Sequence, residues 1–409
     1  MTKFLADIRI AILNLQRNRR RTFVATVSVA GGVIAFLLAG GFISWIFQDM
    51  REATIHSQLG HIQIVRPGYF DKGISDPYNY LLPAQSDELK KIGESAQVRI
   101  LTPRLAFSGL LSTGDATVPF IGEGIDPDSE RSISTRITII DGNDLATSNE
   151  QAALLGEGLA KSLGAKPNDQ VILLATSANG SPNAVELKVA GIFATISKEY
   201  DDNALRVPIP IARKLMRVDG ATTWIALLDH TENTTKVARS IKETLSADKF
   251  QVATWFDLAE FYNKTVTLFS KQIDVVKFII GLIIILTISN TQTMSVLERT
   301  TEIGTSLAIG LRRSEILRMF LFEGCLLGLF GGILGLLVGY SLAQVISAVG
   351  IPMPPPPGMV RGYIGQILID SKLAIDSLVL AFVTTLLASA MPAWKASRMN
   401  VVDALRTNQ

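Results

Sequence analysis

Phe278-Ile279-Ile280-Gly281-Leu282-Ile283-Ile284-Ile285-Leu286-Thr287-Ile288-Ser289-Asn290-Thr291-Gln292-Thr293-Met294-Ser295-Val296-Leu297 passes without one charged side chain. A helix needs about 20 residues to cross the hydrocarbon core of a bilayer, and this stretch supplies them. Three other uncharged stretches share the property: Thr22–Gln48 ahead of it, Gly324–Val360 and Ser377–Trp394 behind it. A hydrophilic block, Asp49–Asp274, separates the first from the second. The pattern predicts a membrane protein with four transmembrane α-helices, at 22–48, 275–297, 319–348 and 377–394. A large α+β domain with a stalk (49–274) is inserted between helices 1 and 2.

The rest of the composition excludes more than it assigns. Hydrophobic residues make up 48% of the chain and the formal net charge is +2, which leaves no nucleic-acid footprint. Cys325 is the single cysteine and falls inside the third span, so the inserted domain has no disulfide. His56, His61 and His230 lack ligand spacing, so no metal site is expected. Gly156-Glu157-Gly158-Leu159-Ala160-Lys161-Ser162 is a loose look-alike of a phosphate-binding loop, without its four-residue gap or the glycine before the lysine. No nucleophile elbow or H-E-x-x-H frame organises the scattered Ser, His and Asp, so no catalytic residue is expected.

Arginine placement sets the orientation. Arg17, Arg19, Arg20 and Arg21 precede the first span; Arg299, Arg312, Arg313 and Arg318 follow the second; Lys395, Arg398 and Arg406 follow the fourth. Arg361 and Lys372 are alone between the third and fourth. Both termini and the 298–318 segment are therefore expected in the cytoplasm, with the 49–274 domain and the proline-rich loop 349–376 outside. The first span is too long for the h-region of a secretory signal and is read as a retained anchor. Ahead of it, in segment 1–21, Phe4, Leu5, Ile8, Ile12 and Leu15 recur at helical spacing beside Lys3, Arg9 and Arg17. Two readings stand: an amphipathic helix on the membrane surface, or a helix packed on the chain's own spans.

Within the inserted block, alternation predicts a strand at Gly60–Val65; Val98–Leu111 and Thr117–Ile121 read as paired strands, Thr223–Leu228 and Phe250–Thr254 as further strands, and Val171–Thr176 with Val185–Ile192 as a hairpin around the turn-forming Ser177–Asn183. Helices are expected at Leu154–Leu163 and Thr234–Leu245, the latter capped by Thr231 or Asn233. A helix from Phe256 is expected to run into the second span.

In the third span Gly324, Gly328 and Gly332 form one row and Gly331, Gly335 and Gly339 another. Small residues four apart let membrane helices approach closely, either within one chain or between subunits. Phe42, Trp45, Ile46 and Phe47 end the first span, and Phe269 and Ile273 begin the second. They read as an aromatic interface belt or as a gate for acyl chains.

Glu298-Arg299-Thr300-Thr301-Glu302-Ile303-Gly304-Thr305-Ser306-Leu307-Ala308-Ile309-Gly310 links the second and third spans, and Glu323 enters the third. The chain closes on Met391-Pro392-Ala393-Trp394-Lys395-Ala396-Ser397-Arg398, then Val402-Asp403-Ala404-Leu405-Arg406. Together these resemble the R-x-x-E-I-G-x-x-x-A-x-G loop, acidic span entry and P-A-x-x-A-x-R…A-L-R ending of the MacB/FtsX superfamily of ABC transporter permeases. Val401 departs from the proline common there. Within the superfamily the lipoprotein-releasing LolC/LolE permeases are most similar, partly on Gly60-His61-Ile62-Gln63-Ile64.

The resemblance implies a permease subunit in a bacterial inner membrane. A second permease protomer, identical or paralogous, and a cytoplasmic ABC ATPase dimer would be its partners. No Walker A motif occurs in the sequence, so ATP and Mg are expected on a separate ATPase and no cofactor on this chain. Glu298, Arg299, Glu302, Ile303, Gly304, Leu307, Ala308 and Gly310 are the expected ATPase-coupling residues. Glu323 is expected to pair with Arg318 or Arg19. The cargo implied is lipoprotein or lipid-linked material, with a periplasmic lipoprotein chaperone as a further partner. Export of a small molecule or peptide from the periplasm, and a scaffold that activates a periplasmic hydrolase, stand as alternatives.

Overall fold

A computed structural model describes residues 2–73, 76–114, 116–195, 197–354 and 362–400, with side chains from residue 9 onward. The closing Val402–Arg406 motif and residues 355–361 of the proline-rich loop lie outside the described residues. The chain divides into two compact units, one formed by Met1–Gln48, Thr265–Pro352 and Ile364–Gln409, the other by Asp49–Lys264 and Met353–Tyr363.

Helix α1 (Thr2–Arg17) and helix α2 (Arg19–Thr54) open the chain. A wide turn, Ile55–Leu59, closes when the Gly60 amide reaches the Ile55 carbonyl at 2.9 Å. Gly60 does so at φ +63°, a conformation that a side chain disfavours.

The inserted unit then lays down β1 (Ile62–Val65), α3 (Asp87–Gly93), β2 (Val98–Ser112), β3 (Thr117–Ile125), α4 (Pro127–Ile133), β4 (Thr138–Gly142) and β5 (Ala152–Gly156). It continues through α5 (Glu157–Leu163), β6 (Gln170–Thr176), β7 (Pro182–Ala194), α6 (Lys198–Asp201), β8 (Ala204–Pro208), α7 (Ile209–Met216) and β9 (Thr223–Leu228). Last come α8 (Thr234–Thr244), β10 (Gln251–Thr254) and α9 (Trp255–Leu258). The strands form one mixed sheet in the order β10-β1-β9-β2-β3-β8-β5-β7-β4, with β6 pairing β2 and β7.

Strand β2 is long enough to serve two lobes. Val98–Arg104 pairs β9, and Leu105–Ser112 pairs β3. One lobe buries Ile62, Ile64, Trp224 and Val252 under Val237, Ala238 and Ile241 of α8. The other buries Leu105, Phe107, Leu155, Val189 and Val207 with Leu159 of α5 and Ala212, Leu215 and Met216 of α7. The sheet differs from the sequence reading in several details: β4 and β8 lie where no strand was expected, and the helix expected to run on from Phe256 stops at Leu258 before a new helix begins. Leu154–Gly156 is strand, because β5 is fully buried between β7 and β8 and cross-strand pairing overrides its helix-forming leucines. Neither Thr231 nor Asn233 caps α8 through its side chain; Thr231–Asn233 winds instead as a short 3₁₀ turn.

In the other unit, α10 (Glu260–Glu298), α11 (Thr300–Ala308), α12 (Arg313–Val349) and α13 (Ser371–Ser397) complete the chain. Helices α2, α10, α12 and α13 are long and apolar enough to cross a membrane. Their common core holds Val29, Val33, Phe36, Leu37, Ile284, Ile288, Leu327 and Ala381.

Both glycine rows of α12 are spent inside this chain. Gly324, Gly328 and Gly332 face Ser389, Thr385, Leu378 and Ala381 of α13; Gly331, Gly335 and Gly339 face Val29, Val33 and Leu37 of α2. A Cβ on Gly335 would sit 2.7 Å from Val33 Cβ and 2.8 Å from the Ala30 carbonyl.

Candidate coupling site

Helix α11 is a short amphipathic rod seated on the ends of the spans. Thr300 Oγ1 bonds the Leu297 carbonyl at 2.6 Å where the chain turns out of α10 at Arg299. Ile303 and Leu307, one helical turn apart, pack on Val296 of α10, Ile316 and Phe320 of α12, and Ala393 and Ala396 of α13. Gly304 is buried beside them. Burial of Ile303 alone contributes about 1.5–3 kcal/mol to holding the rod in place.

A chain of ion pairs fixes the same rod. Glu323, 3% exposed, accepts from Arg299 Nη1 at 2.9 Å and from Asn14 Nδ2 of α1 at 2.8 Å. Sequence reasoning offered Arg318 or Arg19; the structure supplies Arg299, carried to it by the turn after α10. Arg299 is 7% exposed, lies over the Phe320 ring at 5.4 Å, and reaches Glu302 at 3.4 Å. Glu302 also takes Arg17 Nη2 at 2.8 Å, and Glu298 is gripped by both terminal nitrogens of Arg21. The Arg17 hydrogen bond is the main cause that holds the Glu302 carboxyl below its ordinary range. Five elements, α1, α2, α10, α11 and α12, are thereby tied through named charges, and α13 joins them through Ala393 and Ala396.

Of the eight expected coupling residues, Ile303 and Gly304 are buried and Leu307 half-buried against this chain, and Glu298, Arg299 and Glu302 are engaged by its own arginines and carboxylates. Ala308 and Gly310 lie on an exposed tip. Ile309 is 79% exposed there, Leu311 is exposed as well, and Arg312, Arg313 and Ser314 follow. Gly310 turns the chain at φ +106°. Arg312 N bonds Glu315 Oε2 at 3.0 Å and starts α12. Asn14 and Leu311 were not legible as site residues, since a lone asparagine in an amphipathic helix and one more leucine carry no pattern.

Phe47 meets Phe269 edge-on with centroids 6.4 Å apart. Phe42 closes over Gly365, and Ile273 packs on the span core. Trp45 and Ile46 are half-buried.

The inserted unit holds a second ion network. Arg104 of β2 and Arg206 of β8 both face Glu130 of α4 and Glu123 of β3, with Arg206–Glu123 at 3.2 Å and Tyr200 Oη bonding Glu123 at 2.9 Å. Arg206 Nη2 also donates to the Ser57 carbonyl at 2.9 Å, and Arg104 Nη1 to that of Gln58. Burial would raise the Glu130 carboxyl, but Arg104 and Arg206 outweigh it and hold it below the ordinary range. The wide turn after α2 is thus bolted to the sheet. By contrast Gly156 of the phosphate-loop look-alike packs on the Asp201 backbone and Gly158 on Asp202, so the space over both glycines is filled by the chain itself.

A four-span protein with a mixed-sheet domain between its first two spans and a charged rod between the second and third is built as a permease subunit. Residues 22–244 match the MacB-like periplasmic core domain and residues 275–401 the FtsX-like permease C-terminal domain. The chain belongs to the MacB/FtsX superfamily of ABC transporter permeases. Over 98% of its length it is 24% identical to the uncharacterized ABC transporter permease YvrN of Bacillus subtilis (99% of that protein). It is 23% identical to the lipoprotein-releasing system transmembrane protein LolC of Xylella fastidiosa (98% of each). The macrolide export ATP-binding/permease protein MacB of a Shewanella species is 23% identical over 98% of this chain, which spans 61% of that protein.

Proposed function

We propose that this permease passes ATP-driven motion from a separate cytoplasmic ATPase dimer to its periplasmic domain, extracting lipoprotein or other lipid-linked cargo from the inner membrane. The observation that carries the reading is the seating of α11. Its inner face is locked to the spans by the Arg299–Glu323 pair and Ile303, while the Ala308–Arg313 tip stands free. A rod held this way moves the helices when its tip is pushed. The exposed Ile309 and Leu311, ringed by small residues and two arginines, suit an apolar anchor with a charged rim.

Both termini lie in the cytoplasm in this reading, and two permease protomers, identical or paralogous, face the ATPase pair. Likeness to LolC along both full lengths supports lipid-linked cargo, and the aromatic cluster of Phe42, Phe47 and Phe269 offers a surface for acyl chains. A periplasmic lipoprotein chaperone would receive the cargo.

Ile309→Asp changes an exposed side chain and leaves the inner face alone. It should abolish ATPase co-purification while the permease stays in the membrane at wild-type level; retained ATPase would remove the tip as the docking element. For cargo, photo-crosslinkers at Ile46 and Phe269 should capture lipoprotein, and lose it when ATP turns over. Crosslinks to bulk phospholipid alone would leave only an interface belt, and crosslinks to a small exported compound would favour the MacB-like alternative.

A further inference from the structure

We infer that the corner between α1 and α2 binds the phosphate of one anionic phospholipid from the membrane leaflet on that side, a ligand beyond the coupling role proposed above. A cleft of about 420 Å³ is lined there by Arg17, Asn18, Arg19, Arg20, Arg21 and Glu298. Two of its arginines are already matched, Arg17 by Glu302 and Arg21 by Glu298. Arg19 and Arg20 are exposed and have no carboxylate partner among the described residues. The cleft therefore keeps two uncompensated guanidinium groups, whose planar forks suit phosphate oxygens.

What lies beside them favours a lipid over a soluble anion. Phe23, Val24 and Val27 stand three, four and seven residues after Arg20, on its own helical face, and all three are exposed. On α1, Ile10 and Leu13 are exposed on the face that carries Arg17, seven and four residues further on. The helix is held to the chain along its flank, where Ala11 is fully buried and Asn14 bonds Glu323. Charge at the corner and apolar surface on the adjoining faces of both helices reproduce the order of a phospholipid, phosphate then acyl chain. Basic residues beside a span draw anionic lipid in the same way. The headgroup would sit against Arg17 and Arg21, the residues that strap α1 and α2 to Glu302 and Glu298, so its presence would stiffen the base of the coupling rod.

The full chain, purified in mild detergent and exchanged into equal phosphatidylglycerol and phosphatidylcholine, should retain phosphatidylglycerol preferentially when bound lipid is counted by mass spectrometry. Arg20→Gln, which leaves three arginines to fix insertion, should cut that preference about fivefold, and Arg19→Gln with Arg20→Gln about fivefold again. Arg312→Gln with Arg313→Gln, an equal charge loss at the α11 tip, should leave it unchanged. Equal losses in the two double variants would show bulk attraction and overturn the site. Displacement of phosphatidylglycerol by millimolar inorganic phosphate would overturn the lipid and leave a soluble-anion site.

Discussion

Glu323→Gln keeps the volume of the side chain and an oxygen for Asn14, and removes only the charge that faces Arg299. Arg299 would then remain as a buried cation with the more distant, exposed Glu302 as its remaining acid. Breaking a buried pair by removing one partner costs about 3–5 kcal/mol, mostly as the penalty on the charge left behind. Here the penalty falls on local opening of α11, because Arg299 reaches water only when the rod lifts from α12. At about 1.4 kcal/mol per decade, the open population rises at least roughly 100-fold.

Ile303 reports that opening directly, being buried under the rod. An Ile303→Cys reporter in a Cys325→Ala background should be labelled by maleimide slowly in the parent and about 100-fold faster with Glu323→Gln, provided closing outpaces labelling. Adding Arg299→Met to Glu323→Gln removes the stranded charge and should recover most of the protection, since a buried pair replaced on both sides is often near neutral. A change below tenfold in the single variant, or a double variant no better than the single, would refute the claim that this pair clamps the rod.

Gly335→Val should destabilise the purified chain by about 1–3 kcal/mol of overpacking, because the Ala30 carbonyl opposite cannot rotate away, whereas Gly31→Ala meets nothing within 4 Å and should melt no lower than the parent. His61 is buried, takes the Leu228 amide on Nδ1 at 3.1 Å and reaches Thr231 Oγ1 from Nε2 at 3.0 Å, so burial holds the ring neutral, with a pKa lowered to about 4. The unfolded chain takes up that proton near pH 6.5, so stability is complete above about 6.5 and falls as pH drops toward 4; His61→Gln should flatten the slope of melting temperature against pH in that window. Cysteines placed at Asn179 and Ser306 should label oppositely with an impermeant thiol reagent on intact spheroplasts, Asn179→Cys reacting and Ser306→Cys not; reaction at 306 would reverse the orientation.

Charge silence made the spans legible, alternation made β1 legible, and apolar runs bounded by turn residues did so for the β2–β3 pair, the β6–β7 hairpin and β9. Those signals are local. Strand β5 escaped because its sequence, Ala152-Ala153-Leu154-Leu155-Gly156, shows no alternation and is made of the helix formers Ala and Leu, with no β-branched or aromatic residue. Strand β8, Ala204-Leu205-Arg206-Val207-Pro208, escaped because it is short, carries a charge at its centre and ends in proline; with it went Arg206, whose importance comes from Glu130, 76 residues away. The coupling segment was legible as a motif but not as a surface. A run of charges and small residues cannot say which face is inward, and Ile303, read as an anchor for a partner, is an anchor for this chain.

Under the proposed function, the two buried ion networks sit where an element that transmits motion would need a fixed register. Apolar contacts around α11 are non-directional and let a helix slide by a ridge at little cost, whereas Arg299 satisfies Glu323 in one register only. The same holds where Arg206 and Arg104 donate to the Ser57 and Gln58 carbonyls: a slipped turn would cost each guanidinium a backbone acceptor while its carboxylate partners stayed in the sheet unit. Such pairs contribute little net stability against well-packed hydrocarbon, yet they penalise every alternative register by several kcal/mol. If they serve register, then replacing Arg104, Arg206, Glu123 and Glu130 together by apolar residues of matching volume should preserve folding while uncoupling ATP turnover from cargo release. A quadruple variant that still releases cargo at the parental ratio to ATP turnover would reduce the network to ordinary packing.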